Sequence, residues 1–168
     1  MREGSRPPPH ERSVLDNDVF RQTYREVNER VCPYEKSILT NKCRCSKAKR
    51  FCIAEREGVH CLSDAAQAQC LQLLDLLRHQ ARFALRANDE RSALPHGKAM
   101  RIQVGGLRGL LQSLEPENPL PETIDDIHGV IQRARETFGD LNALPFAEII
   151  RQIAAYRGRP PRAPRNRR

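Results

Sequence analysis

Apolar residues recur along this chain at intervals of three and four, between polar stretches rich in proline, asparagine and charge. That period is the mark of helices packed on one face. Leu15, Val19, Thr23 or Tyr24, Val27 and Val31 predict a helix from about Ser13 to Val31. Pro33 marks a break, or the first turn of a short helix through Ser37-Ile38-Leu39. Ser63-Asp64 reads as an N-cap, opening a helix to about Ala87 whose stripe is Ala66, Cys70, Leu73, Leu74, Leu77, Ala81 and Ala84. Met100, Val104, Leu107, Leu111 and Leu114 place a helix over about His96 to Leu114. Pro116, Pro119 and Pro121 must interrupt it. Pro121 suits the first turn of the next helix, which carries Ile124, Ile127, Ile131, Ala134 and Phe138. A last helix covers about Pro145 to Tyr156. No alternating strand pattern competes with these periods, so the expected fold is all-α. It is a single bundle of five or six helices over residues 13–156, with a disordered segment at 1–12 and an Arg/Pro-rich tail at 157–168.

Composition narrows the class. A chain of 168 residues suits one domain with an ordinary core. With no tryptophan and 5% aromatics, that core must be Leu, Ile, Val and Ala. No apolar stretch reaches the length of about 18 residues that a membrane-spanning helix needs. Met1 to His10 lacks the apolar centre of a secretory signal. The expected location is cytoplasmic, where thiols stay reduced. The net charge of +8 is uneven, because Arg157 to Arg168 holds six arginines and no acid. Arg162, Arg165, Arg167 and Arg168 are therefore the candidates for an electrostatic contact with nucleic acid, anionic lipid or an acidic protein patch. A solubilising tail is the plainer alternative.

The cysteines change the picture most. All six fall between Cys32 and Cys70, spaced C-x10-C-x-C-x6-C-x8-C-x8-C. Thiolates are the ligands of iron–sulfur clusters and of closed structural zinc sites, commonly four at a time. Cys32, Cys43, Cys45, Cys52, Cys61 and Cys70 are thus the candidate metal ligands. Cys61 precedes a helix N-terminus, which favours a thiolate. Lys42, Arg44, Lys47, Lys49 and Arg50 surround the central pair and would offset anionic charge. Cys70 also reads as a small core residue on a helical stripe. The spacing matches neither the ferredoxin runs nor the paired knuckles of zinc ribbons. Cys45 to Cys52 resembles the basic C-x6-C half of fungal binuclear zinc clusters, but the C-x2-C of that motif is absent and no function follows.

Gly105, Gly106 and Gly109 each weaken a helix interior by about 1 kcal/mol against alanine. Close helix–helix approach is one offset. The other is close approach to a cofactor or partner by Gly105 and Gly106, with Arg108 supplying charge. Asp125-Asp126-Ile-His128 places an acid and a histidine on one helix face, but a di-iron bundle needs a second such motif. His60, beside Cys61, is a substitute ligand. No nucleophile–base pair stands out.

The sequence therefore predicts an iron–sulfur cluster protein, of the 4Fe–4S type among others, with Cys32, Cys43, Cys45 and Cys52 as its leading ligands and Cys61 as a further one. Electron transfer, redox sensing or service to a larger enzyme would be its role, with a redox or enzyme partner. The alternative is a zinc-stabilised module that binds nucleic acid or protein.

Overall fold

The computed structural model describes residues 9–86 and 94–158. Its elements in chain order are α1 (Pro9–Val27), α2 (Glu35–Leu39), β1 (Ala48–Ile53), β2 (Arg56–Cys61), α3 (Asp64–Ala81), α4 (His96–Met100), a π-helical turn (Arg101–Gly105), α5 (Gly106–Leu114), α6 (Ile127–Phe138), a 3-10 turn (Leu141–Ala143) and α7 (Phe146–Ala155).

The all-α expectation is wrong. β1 and β2 form a two-stranded antiparallel sheet, with Ala48 opposite Cys61 and Ile53 opposite Arg56. The fold is a small mixed domain of helices and one hairpin. Ala54 and Glu55 close the hairpin, both with positive φ (44° and 69°). Two-residue hairpin loops of that conformation normally carry Asn-Gly or Asp-Gly, which is why the turn is silent in the sequence. A third extended piece joins the sheet at Val31, bridged to His60, and Cys32 N–H donates to Val59 O at 2.9 Å. Helix α1 accordingly ends at Val27 instead of Val31.

The face of α1 also differs from expectation. Val19 and Val27 are exposed, and Phe20, Tyr24 and Asn28 turn toward the hairpin instead. Tyr24 stacks on Phe51 across 5.8 Å, and Arg56 lies 4.4 Å over the Phe20 ring. Gly58 permits this arrangement, since a Cβ there would meet Phe51 and Tyr24 at 2.6 Å. Below the rings, Asn28 is buried and donates to Val59 O at 3.1 Å, and its carboxamide oxygen meets His60 Nδ1 at 2.8 Å. Glu35 accepts from Val59 N at 2.8 Å and from the Tyr24 hydroxyl.

Helix α3 follows its period but ends at Ala81, and Ala84 beyond it is exposed while Leu85 is buried. Ser63 caps α3, its hydroxyl accepting from Ala66 N at 3.2 Å. The core joins Leu73 and Leu77 of α3, Leu107 and Leu110 of α5, Ile127 and Ile131 of α6, and Ile149 and Ile153 of α7. Helices α5 and α7 run antiparallel at close range. A Cβ at Gly105 would stand 2.9 Å from Ile153 Cα, and one at Gly109 would stand 2.6 Å from Ile149 Cα. The segment from Pro121 to Asp126 is not helical, and α6 starts only at Ile127. In place of a helical turn, Ile124 pairs with Cys43 and exchanges backbone bonds with Lys42 and Arg44. No helix among the described residues is long and apolar enough to cross a membrane.

Candidate functional site

The hairpin brings distant cysteines together. Cys61 ends β2 opposite Ala48, and Leu62 N–H donates to Lys47 O at 2.8 Å. That return places Cys61 beside the Cys45 turn. The extended piece along β2 brings in Cys32. Helix α3 starts three residues after Cys61, and Cys70 lies on its inward face next to Leu73.

The result is a set of four thiols that feel one another's charge. A charge on Cys32, Cys45 or Cys61 raises the cost of ionising Cys70. Cys32 feels Cys45 and Cys61 in the same way, and Cys45 feels Cys61. Every pair among Cys32, Cys45, Cys61 and Cys70 is thus within electrostatic reach. Cys32, Cys61 and Cys70 are buried and Cys45 is half-buried. All six cysteines are free thiols.

Burial dominates their chemistry. It pushes the Cys32 thiol up to about 12, and raises Cys45 and Cys70 above their ordinary value. The flanking lysines and arginines do not outweigh it. Arg50, for one, donates to Ile38 O at 2.5 Å and to Asn41 Oδ1 at 2.7 Å. Acting against burial are backbone donors. Tyr34 N–H points at the Cys32 sulfur, and the N–H groups of Lys47 and His128 point at the Cys45 sulfur. His128 is in the first turn of α6, whose positive end adds to the effect. These donors suit a sulfur that carries negative charge. Burial thus favours the protonated thiol at Cys32, Cys45 and Cys70, and a bound cation would favour the thiolate.

Cys43 and Cys52 stand differently. Cys43 is fully buried, and burial pushes its thiol up to about 11, with Ser37 acting the other way. Burial pushes the Tyr34 phenol well above its ordinary value, and charge on Cys70, Cys43 or Cys32 would push it the same way. Cys52 is exposed on β1, opposite Glu57. The Cys61 thiol donates to Ser63 O at 3.3 Å. Among the described residues, no group of three or more His, Cys, Asp and Glu side chains stands ready-arranged around a metal position.

The other candidates have local explanations on the page. Gly105 faces α7, and Gly106 faces Leu77, whose Cδ1 would lie 2.6 Å from an added Cβ. Arg108 donates to Pro121 O at 2.6 Å. Asp126 accepts from Ser46 N and Ser46 Oγ at 2.8 and 3.0 Å, fixing the turn after Cys45. The side chain of His60 is engaged by Asn28. Arg162, Arg165, Arg167 and Arg168 lie outside the described residues.

Sequence reasoning missed two site residues. Tyr34 is wholly buried and its hydroxyl has no hydrogen-bond partner. Gln103, in the π-helical turn, accepts from Ser37 N at 3.2 Å and donates to Pro33 O at 3.1 Å, clamping the segment after Cys32. A glutamine on an otherwise apolar stripe was the available signal. A second feature is an open cleft of about 1550 Å³, where Lys42, Lys98, Arg101, Arg108 and Arg157 face Glu122 among the described residues. Comparison with protein-family models, curated proteins and solved structures finds no match to this chain.

Proposed function

We propose that this chain binds an iron–sulfur cluster through Cys32, Cys45, Cys61 and Cys70, and serves in electron transfer, redox sensing or as an accessory to a larger enzyme. The reading places it in the cytoplasm, where thiols stay reduced. What supports it is the convergence of their four chain segments on the end of β2, with each thiol within electrostatic reach of the others. They come from a loop, a turn, a strand end and a helix, and that convergence has no packing purpose that alanine or valine would not serve. Four thiols are the usual number, and Tyr34, Lys47 and His128 offer N–H groups to sulfurs that would carry charge. A bound cluster would supply one-electron redox chemistry. Cys43 backs the site and Cys52 lies outside it.

The test is anaerobic purification with iron, zinc and acid-labile sulfide measured per chain, with visible absorbance. Iron with matching sulfide is expected. Serine at position 32, 45, 61 or 70 should abolish loading, and Cys52→Ser should load like the parent. A full complement of iron in Cys70→Ser would remove that residue from the set. Absence of iron and sulfide after anaerobic reconstitution would end the cluster reading.

The basic cleft favours a second reading, a zinc-stabilised module that binds nucleic acid. Five cations against one carboxylate attract a polyanion, and the affinity would fall steeply with salt. That reading expects zinc without sulfide, and an oligonucleotide affinity weakened by Lys42→Glu and Lys98→Glu.

A further inference from the structure

The cleft that holds Lys42, Lys98, Arg101, Arg108 and Arg157 is built at the C-terminal end of α7. A helix C-terminus is negative and by itself repels an anion. Here two arginines cover it. Arg101 donates to Ile153 O at 3.2 Å and to Ala154 O at 2.5 Å, and Arg157 donates to Ala154 O at 2.8 Å. Arg108 is held by Pro121 O at 2.6 Å and Lys98 by Arg86 O at 3.1 Å. Capping explains these bonds without exhausting the cations. A guanidinium carries five N–H donors, and each of these arginines commits only one or two of them to carbonyls. The side chains are thereby held in place with donors left over, so less freedom is lost when a ligand arrives. Lys42 is half-buried, and its ammonium has no partner among the described residues. Among those residues, Glu122 is the one carboxylate in the cleft.

Charge alone does not choose between polyanions. The shape and Tyr156 do. Small-molecule pockets measure about 300–1,000 Å³, and this open cleft of about 1550 Å³ is larger. A hollow suits a flexible chain, whereas a duplex is read by an element that enters its groove. Tyr156 lines the same hollow and is half-buried. It rests on the backbone of the π-helical turn, where a Cβ at Gly105 would stand 3.1 Å from Tyr156 Cβ. An unpaired base stacks on such a ring, and a duplex keeps its base faces covered. The basic tail also starts here. Gly158 lines the cleft, and the ten residues after it in the sequence carry five arginines and no acid. We propose that the cleft binds single-stranded nucleic acid, its cations holding phosphates and Tyr156 stacking on a base. This inference rests on the nucleic-acid reading of the cleft and requires no metal.

The test uses the full-length, reduced protein with a labelled oligo-dT of about 12 nucleotides, a duplex of the same length, and poly-glutamate as a competitor. Affinities would be read by fluorescence anisotropy over a range of salt. The single strand should bind about tenfold or more tighter than the duplex, and poly-glutamate should compete poorly. Lys42→Ala and Lys98→Ala should each weaken binding and flatten its salt dependence by about 0.7 in the log–log slope. Tyr156→Leu should weaken the single strand by about tenfold, as for one lost stack, and leave the duplex unchanged. The chain has no tryptophan, so its tyrosine emission can be followed directly. The bound strand should quench that emission, and Tyr156→Phe should keep the affinity while losing the quench. The Phe variant decides the matter even where the Leu variant fails to fold. Equal affinity for strand and duplex, full competition by poly-glutamate, or a quench that survives in Tyr156→Phe would overturn the single-strand assignment and leave a general polyanion site. Binding indifferent to Lys42→Ala and Lys98→Ala, or no binding at all, would overturn the nucleic-acid reading of the cleft as well.

Discussion

The backbone N–H of His128 favours negative charge on the sulfur of Cys45, although 83 positions separate the two residues in the chain (128 − 45). The link works because the turn carrying Cys45 is sewn to the start of α6. Ile127 N–H donates to Arg44 O at 2.9 Å, and Asp126 receives both donors of Ser46. One thiol of the set is thus positioned by a helix that contributes no cysteine.

Asp126 should therefore matter more than its surface position suggests. Asp126→Ala removes the acceptor for Ser46 N and Ser46 Oγ and should cost about 1 kcal/mol. It should also loosen metal retention through Cys45. Asp126→Asn keeps an oxygen for Ser46 and removes the carboxylate charge that opposes a Cys45 thiolate. It should hold metal at least as well as the parent. Urea unfolding and chelator competition on both variants would check this. Equal retention by Asp126→Ala would show that the tether does not position the thiol.

The hairpin turn offers a stabilising change. Ala54 and Glu55 hold positive φ, which costs an ordinary L-residue about 1 kcal/mol or more. The double change Ala54→Asn, Glu55→Gly supplies residues suited to that turn. It should raise the melting temperature by about 2–4 °C for each kcal/mol gained. The metal content should not move, because the turn lies at the far end of the hairpin from Cys61. An unchanged or lowered melting temperature would mean that the turn is not held in this conformation in solution.

How far the sequence reveals the fold depends on which interaction set each element. Helices α3, α5 and α7 are amphipathic against a common core, so their periods show in Leu73, Leu77, Leu107, Ile149 and Ile153. Helix α1 packs mainly on the hairpin through Phe20 and Tyr24, so its apolar stripe of Val19 and Val27 points outward and misleads. The hairpin is hidden because its turn lacks glycine and asparagine, and because Lys49 and Arg50 of β1 are both exposed. Missing the hairpin hides the site as well. Only the antiparallel return of β2 shows that Cys61 comes back beside Cys45 while Cys52 is carried outward. The cysteine cluster itself was plain from composition, but which thiols meet was not.

The glycines of α4 and α5 should respond with opposite signs. Gly109→Ala gains about 1 kcal/mol of helix propensity, but its Cβ would stand 2.6 Å from Ile149 Cα and 3.0 Å from Ile149 O. Backbone cannot yield as a side chain can, and overpacking costs about 1–3 kcal/mol. The net should be a loss, with α5 and α7 forced apart. Gly97→Ala meets nothing within 4 Å and should stabilise by up to about 1 kcal/mol. Urea midpoints on the two variants decide this, and a stabilised Gly109→Ala would mean that α5 and α7 are farther apart than the structure has them.

Stability should fall with alkali, and metal should cancel the effect. Burial pushes Cys32 up to about 12 and Cys43 up to about 11, from an ordinary 9.0, and raises Cys45 and Cys70 as well. Between those limits the unfolded chain has lost thiol protons that the folded chain still holds. The folded state then binds more protons, so its stability decreases as pH rises from about 9 through 11 to 12. Tyr24, raised to about 12 by burial and by the hydrogen bond to Glu35, acts in the same direction from its ordinary 10.0 upward. In the metal-free, reduced protein the urea midpoint should therefore be lower at about pH 10.5 than at about pH 8. A loaded protein has already given up its ligand protons, so the share of that loss due to Cys32, Cys45 and Cys70 should vanish. Its weakness should move to acid, where protons compete with metal for the same sulfurs. A metal-free midpoint that holds steady from about pH 8 to about 10.5 would mean that these thiols are not buried in solution. The donors around Cys45 and Cys32 would then have no enclosed charge to serve.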